Sequence, residues 1–376
     1  MERKCFQVSE ITGLRAGKLL TPHGVVETPA FMPIATRGAI RTAPFSVLNE
    51  MDAQIILSNT FHLILRPGLS TISKLGGLHS FFGWDKPILT DSGGFQVYSL
   101  SKRRSVTDEG VKFNSPLDGS EVLLTPESVI EAQQIFGSDV SMVLDEVCSL
   151  PSSEEDLKNA VIRTTAWARR AKEKFTELTA SKNPKPLLFG IIQGGLVPEL
   201  RKKSLEELQE INFDGYAIGG LSVGETHEQM LKALDFILPL MSKDKPRYLM
   251  GVGQPEDIVE AVKRGVDMFD CVLPTRNARH ALLYVDLNED YLKEVLQSSN
   301  SVETGKLYRK IHIRNNNFAD NLEVINPYFR LLDKTTYAYL RHLFQSGEPM
   351  AQVLATINNV WFYLNLMKKI REIIKK

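Results

Sequence analysis

Cysteine is scarce in this chain: Cys5, Cys148 and Cys271 are the only three in 376 residues, odd in number and far apart. That excludes a disulfide framework and a metal site built on closely spaced thiolates, and it reads as reduced thiols in a cytosolic protein. Long hydrophobic runs are missing, since no apolar stretch approaches the roughly 18 residues of a membrane-spanning helix. The opening Met1–Ser9 is charged and has no apolar run, so a secretory leader is not expected there. Neither sign of charge is in excess: 45 basic residues balance 45 acidic ones, so any nucleic-acid-binding face has to be local. Internal repeats and low-complexity segments are absent as well. What is present is 43% hydrophobic and 24% charged, the profile of a globular cytoplasmic protein with material for a large core.

Short apolar runs recur along the chain. They are Pro29–Ala35, Gln54–Ser58, Pro87–Asp91, Ser141–Asp145, Leu188–Ile192, Gly215–Gly219, Arg247–Gly251 and Val266–Cys271. They show little polar alternation, which suits strands buried on both faces of a parallel sheet. Helical patterns lie between them. Thr125-Pro-Glu-Ser starts one with a cap, an early proline and an acid; Ser152-Ser-Glu-Glu-Asp and Gln254-Pro-Glu-Asp start others. Eight strands alternating with helices predict an α/β fold, a TIM-type β/α barrel with insertions. Most strands end in or beside a polar residue or glycine: Asn59, Asp91, Asp145, Gln193, Gly220, Gly253 and Asp270. In such a barrel the carboxyl ends of all strands share one face, so these positions are expected to converge there.

Two regions fall outside the alternation. Residues 92–124, with Ser101-Lys-Arg-Arg104 and Phe113-Asn-Ser-Pro-Leu-Asp-Gly119, read as a hairpin-like excursion. Residues 281–334 separate the eighth strand from the final helices and contain a helix-like stretch, Asp290–Asn300. In the last helix Trp361, Leu364, Met367, Arg371 and Ile374 follow helical spacing, and Lys368, Lys369, Arg371, Lys375 and Lys376 read as its solvated face. The expected division is a core over 1–280 that carries the site, followed by a C-terminal helical subdomain over 281–376 that completes the barrel.

Four motifs carry chemistry. Thr90-Asp91-Ser92-Gly93-Gly94-Phe95-Gln96 follows a hydrophobic strand, and its glycines let the backbone pass close to a ligand. Phe269-Asp270 closes another strand and is followed by Pro274, Arg276 and Arg279, side chains suited to phosphates or base edges. Gly190-Ile-Ile-Gln193-Gly-Gly195 and Ala217-Ile-Gly-Gly220-Leu221 complete the set. A carboxylate facing two donors and an amide facing an acceptor would select a guanine-like edge.

Together, in this order, the motifs resemble the tRNA-guanine transglycosylase (queuine tRNA-ribosyltransferase) family of bacterial type. The likeness covers roughly residues 10 to 280 and resumes at Ala338-Tyr-Leu-Arg-His-Leu343 and Thr356-Ile-Asn-Asn359. The resemblance implies a β/α barrel that replaces the wobble guanine of tRNAs with GUN anticodons by a 7-deazaguanine, in queuosine biosynthesis. It implies that Asp270 is the nucleophile, forming a covalent ribosyl-aspartate, and that Asp91 is the acid/base. Two displacements would then retain configuration, as in retaining glycosidases. It further implies that Asp145 reads the ring NH and amine, that Gln193 and the Gly220 NH hold the keto oxygen, and that Phe95 and Met250 sandwich the ring. Ser92, Gly93, Gly94 and Leu221 line the same pocket by that likeness. Gly251, Val252, Gly253, Gln254, Pro255, Glu256 and Asp257, with Thr275, Arg276, Asn277, Ala278 and Arg279, match the tRNA-contacting segments. The substrate is expected to be a tRNA with a UGU-type anticodon loop, its target base unstacked into the pocket, and the protein a homodimer.

The sequence departs from that pattern in two places. Family members carry zinc near the C-terminus, on Cys-x-Cys-x-x-Cys and a later His. Here Pro327-Tyr-Phe-Arg-Leu-Leu-Asp-Lys334 holds no cysteine and Asn358 stands at the His position. Asn is a poor zinc ligand, so no metal is expected, with Phe329, Leu331 and Leu332 packing in its place. Second, Val147 stands where bacterial members have Cys, as in queuine-using members, while Val223 follows the bacterial pattern. The incoming base is thus either aminomethyl-deazaguanine or queuine. Two other readings compete: a non-catalytic tRNA-binding subunit, and a relative acting at another nucleic-acid site.

Overall fold

The computed structural model describes residues 5–11, 13–100 and 104–376. Eight short parallel strands form its centre: β1 Ala30–Met32, β2 Ile56–Ser58, β3 Ile88–Thr90, β4 Val140–Met142, β5 Leu187–Ile192, β6 Gly215–Ile218, β7 Arg247–Leu249 and β8 Met268–Asp270. Each expected apolar run overlaps one of them, two strands starting a residue earlier, at Val140 and Leu187. They are three to six residues long. Neighbours pair in sequence order from β2 to β8. β8 then pairs with β1, Asp270 lying opposite Met32. Closure follows where Ile34 bridges Leu57, with Leu57 N–H donating to the Pro33 carbonyl at 3.0 Å. The sheet is therefore nearly closed into a barrel, its two end strands meeting at this one bridge.

The crossover helices form where their caps predict. Thr125 caps Pro126–Phe136, its hydroxyl accepting from the Ser128 N–H in a reciprocal capping box. Ser153 caps Glu154–Thr179. Gln254 precedes Pro255–Lys263 without a side-chain cap bond. The last helix, Pro349–Ile374, packs against β1 and completes the outer layer. Of the expected line, Met367 and Ile374 are buried and Trp361, Leu364 and Arg371 only half-buried, while Phe362, Tyr363, Leu366 and Ile370 are buried beside them. Trp361 and Leu364 instead pack sideways against neighbouring apolar clusters, so the helix is covered on more than one side. Its basic tail is partly consumed inside the chain: Lys369 pairs with Glu289, and Arg371 and Lys375 with Glu27.

The amino-terminal mouth is closed by an antiparallel sheet of Phe6–Ile11, Leu14–Thr21 and Gly24–Thr28. Buried Arg15 reaches across to Asp267, just before β8, at 3.1 Å, and Asp139, just before β4, accepts from the His23 N–H at 2.8 Å. Residues 92–124 form more than a hairpin. A helix, Gly94–Leu100, leads to a three-stranded antiparallel sheet of Arg104–Val106, Val111–Asn114 and Glu121–Leu124. Ser101, Lys102 and Arg103 lie outside the described residues. The helix-like stretch near 290 is Glu289–Leu296. A second apolar core is built almost wholly from residues 278–360, joined by Val47 and Met51. Among the described residues no helix is long and apolar enough to cross a membrane.

Candidate active site

The polar strand ends meet at the carboxy-terminal mouth, and hydrogen bonds link them from one strand to the next. Asp91, directly after β3, accepts from the Asn59 amide after β2, from the Thr60 N–H at 2.8 Å and from Gln96 Nε2 at 2.9 Å. Ser92 donates to Asp145 Oδ1 at 3.3 Å, and Gln193 Nε2 donates to Asp145 Oδ2 at 2.7 Å. On the other side, Asp270 Oδ1 accepts from the Tyr248 hydroxyl at 2.5 Å and the Gly251 N–H at 2.9 Å. Asp270 Oδ2 has no hydrogen-bond partner among the described residues. One carboxylate oxygen is clamped and the other is left for chemistry.

All three aspartates are buried, Asp91 at 9%, Asp145 at 6% and Asp270 at 8% exposure. Burial disfavours the charged form. It pushes Asp91 up to about 6, against the lowering effect of its three donors, with the nearby Asp270 charge adding to the rise. Asp145 is likewise lifted to about 6 by burial, against Gln193 and Ser92. Burial raises Asp270 too, opposed by Tyr248 and the Gly251 N–H. Two carboxyls lifted to about 6, beside a third raised by burial, suit proton transfer and nucleophilic substitution at a sugar.

The glycines are placed by close approach. A Cβ on Gly94 would lie 2.8 Å from the Asp145 carbonyl and 3.1 Å from its carboxylate. Gly220 has φ +62, and a Cβ there would lie 2.7 Å from Gln193 Oε1. Phe95, on the helix after Gly94, is 49% exposed, an unusual position for a phenyl ring and one suited to stacking on a flat ligand. Met250 is half-buried after β7, and Leu221 is buried after β6.

The two segments expected at tRNA differ in exposure. Gly251 is exposed, whereas Val252 and Pro255 are buried, Glu256 accepts from the Tyr308 hydroxyl at 2.9 Å and Asp257 pairs with His227 at 2.6 Å. Gly253 is also buried, with Cys271 against it, and Gln254 is half-buried. The second segment is the helix Leu273–Arg279, directly after Asp270. Arg276 is exposed on it, Arg279 half-buried, and Thr275 and Ala278 face inward. Burial first, then the neighbouring Arg41 and Arg276 charges, lower the Arg279 guanidinium. These three arginines make a local basic patch at the helix that follows Asp270, on a chain of zero net charge. Asn277 donates to the Tyr284 hydroxyl at 2.5 Å, and Asn359 Nδ2 donates to the Pro274 carbonyl at 3.1 Å, so the helix is anchored from behind.

The donor set in the C-terminal subdomain does not fit zinc. Residues 324–336 form a loop closed by Ile325 N–H donating to the Thr335 carbonyl at 2.8 Å. Phe329 and Leu332 fill it from inside, while Leu331 is 37% exposed and, contrary to expectation, does not share that packing. Tyr328 stacks on Trp361 with an interplanar angle of 6°. Asn358 Nδ2 donates to the Tyr284 carbonyl at 3.0 Å, so the residue at the histidine position is committed to backbone. Among the described residues one group of His, Cys, Asp or Glu is compact enough for an ion, namely His23, His79 and Asp139. It lies at the opposite, amino-terminal mouth. Its imidazoles are stacked, centroids 3.6 Å apart, so their in-plane lone pairs do not converge on one point; His23 Nδ1 bonds to Asp139 Oδ1 at 2.9 Å, and His79 Nε2 lies 3.1 Å from the Lys86 carbonyl and 3.2 Å from Asp139 Oδ2.

Three contributors were not legible as site residues. Tyr248 had a signal: in a strand it shares a face with Met250, two residues on. Gln96 lies within the Asp91 motif but its role depends on the helix turning back over Asp91. Arg201 reads as one more charge in Pro198–Ile211, yet it is 1% exposed and reaches the loops after β5 and β6.

Comparison with known proteins agrees with this geometry. The family profile described as "TGT: Queuine tRNA-ribosyltransferase" matches residues 10–376. A queuine tRNA-ribosyltransferase of Acinetobacter baylyi is 48% identical over 96% of this chain and 88% of its own length. One from Halothermothrix orenii is 47% identical over 97% of this chain and 91% of its own. With a family match over residues 10–376 and relatives at that identity across nearly the whole chain, the chain belongs to the queuine tRNA-ribosyltransferase family.

Proposed function

We propose that this protein exchanges the wobble guanine of tRNAs with GUN anticodons for a 7-deazaguanine, through a covalent ribosyl-aspartate on Asp270. Membership of the family makes the chain a glycosyltransferase of the pentosyl-transferring kind, a tRNA-guanine transglycosylase. The observation that carries the residue-level reading is Asp270 itself: buried at the strand end, one oxygen held by Tyr248 and Gly251 N–H, the other open. Asp270 Oδ2 attacks the anomeric carbon of the target nucleotide, the glycosidic bond breaks and guanine leaves, taking its proton from Asp91. In the second half Asp91, now ionised, takes a proton from the incoming base, which displaces Asp270 and restores the β configuration. Asp145 faces the ring NH and amine, Gln193 and the Gly220 N–H face the keto oxygen, and Phe95 and Met250 lie against the ring faces. Arg276 and Arg279 meet phosphate.

Incorporation of radiolabelled guanine into a tRNA with UGU in its anticodon loop tests this. Absence of both exchange and a trapped adduct would instead favour the non-catalytic subunit. Competition between aminomethyl-deazaguanine and queuine assigns the incoming base. The reading places the protein in the cytoplasm with its tRNA, as a homodimer. It also divides the chain into a catalytic core over 1–280 and a supporting part over 281–376, a division supported by the second apolar core.

Asp91 sets a pH test. Its carboxyl is protonated below about 6 and ionised above. Adduct formation needs the acid, so its single-turnover rate is expected to fall as pH rises from 6 to 8. Asp91→Asn should lower that rate by ~10²–10⁴ and flatten the dependence. An unchanged pH dependence in the variant would remove Asp91 from the proton transfer.

We also propose that the C-terminal subdomain holds no zinc. Metal analysis of purified protein is expected to find less than about a tenth of an equivalent, and chelator should leave the melting temperature unmoved. Near-stoichiometric zinc would sink the proposal.

A further inference from the structure

Among the described residues, buried Arg201 has no carboxylate bonded to it, and its hydrogen bonds go to backbone carbonyls. Nε donates to Gly195 at 2.5 Å, Nη1 and Nη2 to Gly219 at 3.2 and 3.1 Å, and Nη2 also to Gly220 at 3.3 Å. Gly195 belongs to the loop after β5 that begins with Gln193. Gly219 and Gly220 follow β6. One planar guanidinium thus ties together the two loops that carry the donors facing the keto edge of the base.

The peptide plane transmits this hold. A trans peptide sets its C=O and N–H on opposite sides, and the only cis bonds among the described residues precede prolines elsewhere. A Gly219 carbonyl turned toward Arg201 therefore turns the Gly220 N–H away from it. The Gly220 carbonyl does the same for the Leu221 N–H. Neither N–H has a hydrogen-bond partner among the described residues, although both residues are buried. Buried, unpartnered amide donors are rare and need an acceptor. Gln193 Oε1 would lie 2.7 Å from a Cβ on Gly220, so the Gln193 amide end lies beside them.

We infer that Arg201 is a positioning residue for base selection: by holding the Gly219 and Gly220 carbonyls it orients the Gly220 and Leu221 N–H groups to donate to the 6-keto oxygen of a purine or deazapurine. This rests on the base-exchange reading above and adds to it the element that enforces keto over non-keto bases. Arg201 never touches the base. A fixed donor aimed at an oxygen discriminates against a ligand lacking that oxygen, because the donor is then left buried and unpaired.

The test measures binding of guanine and of 2-aminopurine, which lacks the 6-oxygen, to wild type, R201K and R201Q, with melting temperatures recorded alongside. Lysine keeps the charge and one point of attachment; glutamine keeps two donors without charge. Guanine affinity is expected to fall ~10- to 100-fold in both variants, while 2-aminopurine affinity stays within about threefold, so the preference for the keto base collapses. A merely structural role would weaken both ligands together. If wild type prefers guanine and both variants keep that preference, or lose both ligands equally, the positioning role is overturned while base exchange stands. If wild type binds neither base, both readings fall.

Discussion

Asp270→Asn is expected to abolish the covalent tRNA adduct and to lower guanine exchange by ~10⁴ or more, while leaving the melting temperature close to that of wild type. The two oxygens of Asp270 have different surroundings. Oδ1 accepts from Tyr248 and the Gly251 N–H, which fix the carboxylate plane. Asparagine can place its own oxygen there, so the fold has no reason to change. Its amide nitrogen then occupies the open position and offers no lone pair for attack. Retention of configuration requires two displacements, and without a nucleophile the first does not occur. Trapping with tRNA under denaturing electrophoresis reads the adduct directly. A wild-type-like adduct on the variant would move the nucleophile elsewhere, and the other carboxylates of the mouth would be the first to examine.

Asp145→Asn is expected to act in opposite directions on stability and on base binding. Burial lifts this carboxyl from 3.8 to about 6, so holding it ionised at pH 7.5 costs roughly 3 kcal/mol. The sign follows from the folded value lying above the unfolded one: the contribution favours folding below pH ~4 and is lost as pH rises through about 6. Asparagine carries no such charge. It can still accept from Gln193, so the variant should be more stable by about 1–3 kcal/mol at pH 7.5 and show no gain near pH 4. Guanine affinity should meanwhile fall ~10²- to 10³-fold, because charge-assisted hydrogen bonds to the ring NH and amine become weaker and one donor faces another. Thermal unfolding at the two pH values, with guanine binding beside it, checks both. Equal destabilisation at both pH values, or retained guanine affinity, would refute the assignment.

Much of the barrel was legible because its strands are buried on both faces and so appear as apolar runs. The polar residue ending each run marks where the chain leaves the sheet. Asp91, Asp145 and Asp270 stood out as carboxylates at the ends of such runs. The last helix shows where this reading weakens. Trp361 and Leu364 carry apolar surface to neighbouring clusters while Phe362, Tyr363 and Leu366 face the barrel, so no single stripe marks the inner face. Leu331 fails for a related reason: a short loop has no period from which to tell an inward side chain from an outward one.

Arg201 was out of reach altogether. Its partners Gly219 and Gly220 are 18 and 19 residues away, and nothing in Leu200-Arg-Lys-Lys203 distinguishes one cation from the next. The sequence by itself determined that Pro327–Lys334 carries no thiolate for a metal, because ligand chemistry is a property of residue type. It likewise determined the eight strands, the helix caps and the aspartates at the strand ends, since apolar runs and capping are local. Only the tertiary structure decided which oxygen of Asp270 is clamped and which is open, that burial lifts Asp91 and Asp145 to about 6, and that one guanidinium orients the amides beside Gln193. Desolvation and hydrogen-bond direction are set by neighbours brought from distant parts of the chain, and those neighbours exist only once the barrel has formed.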